Sequence, residues 1–188
     1  MAIKSFLFHN EPKWLENRLG SRYFLPKNVQ SWVYEAGSLT SRLRSFYSHR
    51  VAVNILFQQR CKPFLSEFRL LNLPDFSHQL VREVLLHADG KPLILARTII
   101  PEQTINAARR SLSRLDERPL GEVIFSYPNL QRQQLDISLI QPKQWTQNAR
   151  AIAHIGHALW ARRTVYSIAQ GQPLLVSEFF LPAALAIA

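Results

Sequence analysis

The chain reads as an α+β domain built on an antiparallel sheet. Two stretches predict consecutive hairpins: "LVREVLLHADGKPLILARTIIP" (residues 80–101) turns at Asp89-Gly90, and "RRTVYSIAQGQPLLVSEFF" (residues 162–180) turns at Gln170-Gly171. Asp-Gly suits a two-residue type I′ turn, whose two central residues both need positive φ. The third observation is that helical spacing is confined to segments outside these strands. Such segregation points away from a doubly wound parallel sheet. At 188 residues and 47% hydrophobic content, residues 1–188 form a single domain able to bury its own core, with residues 1–24 a candidate extension.

Each element has a local reason. In "PKNVQSWVYEAG", Pro26 can open a helix and Gly37 close it, with Val29, Trp32 and Val33 at helical spacing. "SLTSRLRSFY" follows with Ser38 as N-cap and Leu39, Leu43 and Phe46 on one side. The period then changes: Val51, Val53, Ile55 and Phe57 alternate with more polar residues, as in a strand, and residues 64–71 read as a candidate further strand. "TINAARRSLSRL" predicts a helix from Thr104, its cap, to Leu115. "RPLGEVIF" predicts a short helix, and Leu135, Ile137 and Leu139 alternate as a strand. Residues 141–157 read either as helix or as an insertion.

Several function classes lose support from the totals. A single cysteine, Cys61, rules out an intrachain disulfide and fits a reducing compartment. The N-terminus carries no sustained apolar h-region, and the apolar tail "LPAALAIA" is too short to span a bilayer, so a cytoplasmic protein without stable membrane insertion is expected. The formal charge is +10, yet the basic residues are dispersed, with no helix-turn-helix, zinc or RNP-like signature. A basic surface that attracts small anions is favoured over nucleic-acid binding. His154 and His157 stand three apart without a third ligand, Cys61 has no convincing histidine partner, and no glycine-rich phosphate loop is present.

Charged residues on apolar strand faces are the informative anomaly. If Asp89-Gly90 forms a two-residue turn, counting outward sets Arg82 opposite Arg97, each alternating with Leu, Val or Ile. Two opposed guanidinium groups repel unless an anion sits between them, and guanidinium recognises carboxylate bidentately. The competing reading is that one arginine meets an Asp or Glu or reaches solvent. In the second hairpin Glu178 shares a face with Leu174, Val176 and Phe180, and the same counting sets Arg163 across from it. Glu178 then either forms a cross-strand ion pair or hydrogen-bonds a ligand hydroxyl.

"LVREVLLHADGKPLILARTIIP", "RPLGEVIF" and "QGQPLLVSEFFLPA" together resemble the chorismate pyruvate-lyase (4-hydroxybenzoate synthase) family, in order and in approximate spacing. The resemblance is strongest over residues 80–183, apart from the stretch near 141–157, and fades over the first twenty or so residues. It implies a single α+β domain whose buried ligand pocket is covered by helical flaps, with neither cofactor nor metal. The implied activity is a cofactor-independent lyase reaction: chorismate to 4-hydroxybenzoate and pyruvate, the entry step of ubiquinone biosynthesis, in a monomer. By position, Arg82 matches the arginine on the ring carboxylate, Leu120 a residue binding through its backbone, and Glu178 the glutamate at the ring 4-hydroxyl. Leu39 stands where the family has a further pocket residue, typically methionine. Arg97 falls at a family arginine near the pocket and is expected on the enolpyruvyl carboxylate. The alternative is a non-catalytic module on the same fold that binds a small aromatic carboxylate.

Overall fold

A computed structural model describes the chain apart from residues 1–4, 49–50, 75–76, 109–111, 113–114, 116–117 and 188. Seven strands form one sheet: β1 (Leu15–Glu16), β2 (Ala52–Cys61), β3 (Gln79–Ala88), β4 (Lys91–Ile100), β5 (Gln131–Ile140), β6 (Leu159–Ser167) and β7 (Pro173–Phe180). Their spatial order is β1-β5-β6-β7-β4-β3-β2, every pairing antiparallel. The four central strands carry most of the buried residues, consistent with coverage on both faces.

The helices among the described residues are α1 (Lys27–Val33), α2 (Leu39–Tyr47), α3 (Leu65–Leu70), α4 (Glu102–Ala107), α5 (Leu120–Ile124), α6 (Gln147–Ile152) and α7 (Pro182–Leu185). Ser38 caps α2 as predicted, accepting from the Ser41 N–H at 3.3 Å. Helix α1 stops at Val33, well before Gly37, and Arg162 of the sheet satisfies its terminal carbonyls at Trp32 and Val33. Residues 64–71 are a helix and not a strand. Phe64, Phe68 and Leu71 fall at helical spacing, and the Glu67 carboxylate turns back to accept the Phe64 N–H at 2.7 Å. Helix α4 begins after Pro101, so Thr104 lies inside it, its hydroxyl donating to the Pro173 carbonyl at 2.5 Å. The cap expected there is replaced by Gln79 of β3, which accepts the Glu102 N–H at 3.1 Å. Much of the predicted remainder of that helix, to Leu115, lies outside the described residues. Residues 141–157 hold a 3-10 turn at Pro142–Gln144 and then α6.

Both hairpin registers differ by one residue from simple counting. Asp89 (φ 51°) and Gly90 (φ 74°) do form the tight turn, and Ala88 pairs with Lys91. Two residues later the ladder slips: His87 faces Pro92 but Leu86 faces Ile94, leaving Leu93 as an extra residue on β4. Pro92 has no N–H to give the ladder, and bulges are where a strand tolerates that. In the second hairpin the connection is five residues long, Ile168 to Gln172, with Ser167 paired to Pro173. A one-residue slip moves every later side chain to the other face. The consequences reach all the charged residues singled out above.

Candidate functional site

The sheet has two buried faces, and the arginines divide between them. Arg82 pairs with Thr98, and Arg97 with Glu83, so Arg82 and Arg97 are on opposite faces and are never opposed. Arg162, not Arg163, lies across from Glu178, while Arg163 faces Ser177.

On the back face the charges satisfy one another. Arg97, 2% exposed, donates from Nε and Nη2 to the two Glu67 oxygens at 2.8 and 2.9 Å, and from Nη1 to Glu83 at 2.7 Å. Its guanidinium also lies 4.4 Å from the centre of the Phe64 ring. Glu83 is fully buried and accepts from the Ser5 hydroxyl at 2.6 Å and from the N–H groups of Phe6 and Leu7 at 2.6 and 3.2 Å. Arg163 forms its pair with Asp136, at 2.6 Å, and donates to the Ser66 hydroxyl at 2.7 Å. Burial alone would lower the proton affinity of Arg97, but the two glutamates outweigh it and hold its pKa above the ordinary arginine value. The expected place of Arg97 beside a ligand carboxylate is therefore corrected: its anions are internal.

The front face carries a cavity. Adjacent rows of side chains floor it: Arg82, Thr98 and Val176 in one, Val84, Ala96 and Glu178 in the next. Two helices roof it, with Leu39 and Thr40 from the start of α2 and Leu120, Gly121 and Ile124 from α5. Arg82, Leu39, Leu120 and Glu178 thus line one cavity, the first and last from its floor and the two leucines from its roof. The roof is tight. A Cβ built on Gly121 would stand 2.7 Å from the Ser38 hydroxyl, so only glycine lets α5 approach the α2 cap this closely. An Arg44–Glu122 ion pair also joins the two roofing helices.

Arg82 and Glu178, the two charged groups bordering the cavity, are each held by other protein groups. Arg82, 2% exposed, donates from Nε to Gln58 of β2 at 3.0 Å and from Nη2 to the Arg118 carbonyl at 3.2 Å, just ahead of α5. Glu178 accepts from Arg162 Nε at 2.5 Å. Arg162 Nη1 in turn reaches the carbonyls of Trp32 and Val33, the last two residues of α1, and of Glu35 just beyond it. Burial pushes the Arg162 pKa down, but Glu178, Tyr166 and Glu35 together outweigh it and hold the pKa above the ordinary arginine value. Arg162, Gln58 and Thr98 went unnoticed in the sequence. For Arg162 a signal existed: Pro173 fits the first position of a strand, which lengthens the loop and moves the partner of Glu178 by one.

Among the described residues no group of three or more His, Cys, Asp or Glu side chains could hold a metal ion, and Cys61 is buried. Nor is any helix among them long and apolar enough to cross a membrane.

Comparison with known proteins identifies the family and the fold. Residues 11–186 match the family model described as chorismate lyase. A relative from Methylococcus capsulatus, named probable chorismate pyruvate-lyase, is 41% identical over 159 residues, covering 85% of this chain and 98% of its own. One from Methylobacillus flagellatus with the same name is 35% identical over 176 residues, covering 92% and 94%. Among solved structures, the PhnF C-terminal domain aligns with TM-score 0.56 at 14% identity, covering 71% of this chain and 84% of its own. The ligand-binding domain of a GntR-family regulator from Bordetella bronchiseptica gives 0.51 at 14% identity, over 71% and 83%. Those two likenesses concern the fold alone. Family match, relatives and sheet topology together place the chain in the chorismate lyase family.

Proposed function

We propose that the front-face cavity binds chorismate and converts it to 4-hydroxybenzoate and pyruvate, supplying the aromatic ring for ubiquinone. One observation carries this reading: a buried guanidinium and a carboxylate converge on one apolar, roofed cavity from opposite ends. Arg82 and Glu178 stand two strands and two residues apart, about 10 Å across and about 7 Å along the sheet at the backbone. Both side chains point inward, which suits a six-membered ring with a carboxylate at one end and a hydroxyl at the other.

In this reading Arg82 takes the ring carboxylate, its orientation set by Gln58 and the Arg118 carbonyl. Glu178 accepts the 4-hydroxyl. Leu39 and Leu120 close the cavity over the ring and exclude water. The C3–O bond breaks, the leaving enolpyruvyl group gains a hydrogen at its methylene carbon to become pyruvate, and C4 loses its hydrogen. Ring atoms, pyruvate atoms and electrons balance without a co-reactant. Aromatisation drives the step, so the protein contributes orientation and a fixed electrostatic environment. With Arg97 committed to the back face, a division of the two substrate carboxylates between Arg82 and Arg97 has no support.

The test is direct. Incubation with chorismate should yield 4-hydroxybenzoate and pyruvate in equal amounts, and Glu178→Gln should lose most of that turnover while still folding. Binding of 4-hydroxybenzoate without any pyruvate release would favour a ligand-sensing module instead. Restoration of ubiquinone in a bacterium whose own lyase is deleted tests the physiological role.

A further inference from the structure

We propose that Arg162 is a positioning residue that holds Glu178 as a fixed acceptor, and that this pair makes the cavity select a ring bearing a hydroxyl donor opposite its carboxylate. The proposal rests on the reading of the cavity given above. It starts from an asymmetry in the pair. Arg162 is 1% exposed, and its guanidinium is locked on both sides: Nε donates to Glu178 Oε2 at 2.5 Å, and Nη1 donates to the carbonyls of Trp32, Val33 and Glu35 at 3.2, 3.2 and 2.9 Å. Glu178 has only one oxygen committed. Among the described residues its Oε1 accepts no hydrogen bond, and the side chain borders the cavity.

The chemistry of selection follows. Arg162 Nε holds Glu178 Oε2, which leaves Oε1 as the oxygen open to a ligand donor. A ring hydroxyl fits it. A ring bearing hydrogen there leaves the oxygen unsatisfied, and a methoxy group or second carboxylate sets acceptor against acceptor. The three carbonyls matter because they hold the guanidinium in place when substrate enters. Without them Arg162 could swing toward a substrate carboxylate and release Glu178. The contrast with Arg97 supports the distinction, since that guanidinium divides its donors between two carboxylates, neither of them left open to the front-face cavity.

The experiment compares 4-hydroxybenzoate with benzoate, which keeps the carboxylate for Arg82 but lacks the hydroxyl. Wild-type protein should prefer 4-hydroxybenzoate at least about tenfold, the scale of a hydrogen bond to a charged group. Arg162→Gln should shrink that preference to within about threefold while benzoate affinity, which depends on Arg82, stays near wild type; turnover of chorismate should fall in kcat. If instead both ligands weaken equally and the preference survives, Arg162 is merely structural and the proposal fails. Should Arg162→Gln not fold, Arg162→Lys tests the same point. Lysine keeps the charge but lacks the fork that reaches Glu178 and the helix carbonyls together, so the preference should narrow several-fold. An unchanged preference in that variant overturns the proposal. Failure of the underlying reading looks different: wild-type protein would release no pyruvate, or Arg82→Leu would leave benzoate affinity intact.

Discussion

The two faces of the sheet use the same residue types to opposite ends. Behind it, Arg97, Glu67, Glu83, Arg163 and Asp136 form pairs that are complete in themselves, and Glu83 also ties down Ser5, Phe6 and Leu7. In front, Arg82 and Glu178 are each held by protein groups on one side and border a cavity on the other. A buried charge with all its partners inside the chain supports the fold. One anchored from behind and facing a cavity is prepared for a ligand. Strand register alone decides which residue plays which part, since neighbours along a strand differ only in the face they point to.

The sharpest way to break this comparison is to delete Leu93, the extra residue of the β4 bulge. Removal would bring Arg97 to the front opposite Arg82 or force β4 to slip against β7; we expect no cooperatively folded protein by urea titration, a loss beyond about 5 kcal/mol. Next in size is Arg97→Leu, which leaves Glu67 and Glu83 buried without their cation and should cost about 3–5 kcal/mol of unfolding free energy. The molecules that remain folded should bind 4-hydroxybenzoate as wild type does. An equal loss of affinity in the folded fraction would return Arg97 to the site. Arg82→Leu inverts the pattern: calorimetric titration should show 4-hydroxybenzoate weakened by about 2–5 kcal/mol, with a smaller loss of stability than in Arg97→Leu. The smallest effect sharpens the picture of the roof. Gly121→Ala brings a methyl group against the Ser38 hydroxyl and should cost about 1–2 kcal/mol by overpacking, with faster product release in single-turnover traces as α5 stands off from α2.

Much of this was legible beforehand. The type I′ turn at Asp89-Gly90, the Ser38 cap and the strand β5 each rest on local rules and appear as read, although Leu139 of β5 is exposed while Asp136 and Ser138 are buried. The helix Leu65–Leu70 reads in the sequence as a candidate strand, because Phe64, Phe68 and Leu71, at spacings of four and three, also look like a short apolar run. Thr104 looked like a cap because it precedes an apolar stripe; the helix begins earlier because Gln79, far away in sequence, satisfies its first turn.

By itself, then, the sequence determined the α+β class, the hairpins, and the four residues Arg82, Leu120, Glu178 and Leu39 that meet at the front-face cavity. Those follow from periodicity, turn chemistry and family resemblance, all carried by residues near one another in the chain or in a recognisable order. The tertiary structure alone decided which arginine faces which acid. That depends on a bulge after Pro92 and a five-residue loop before Pro173, each displacing the ladder by one residue. Because side chains alternate with period two, a displacement too small to alter the fold is enough to exchange its two faces.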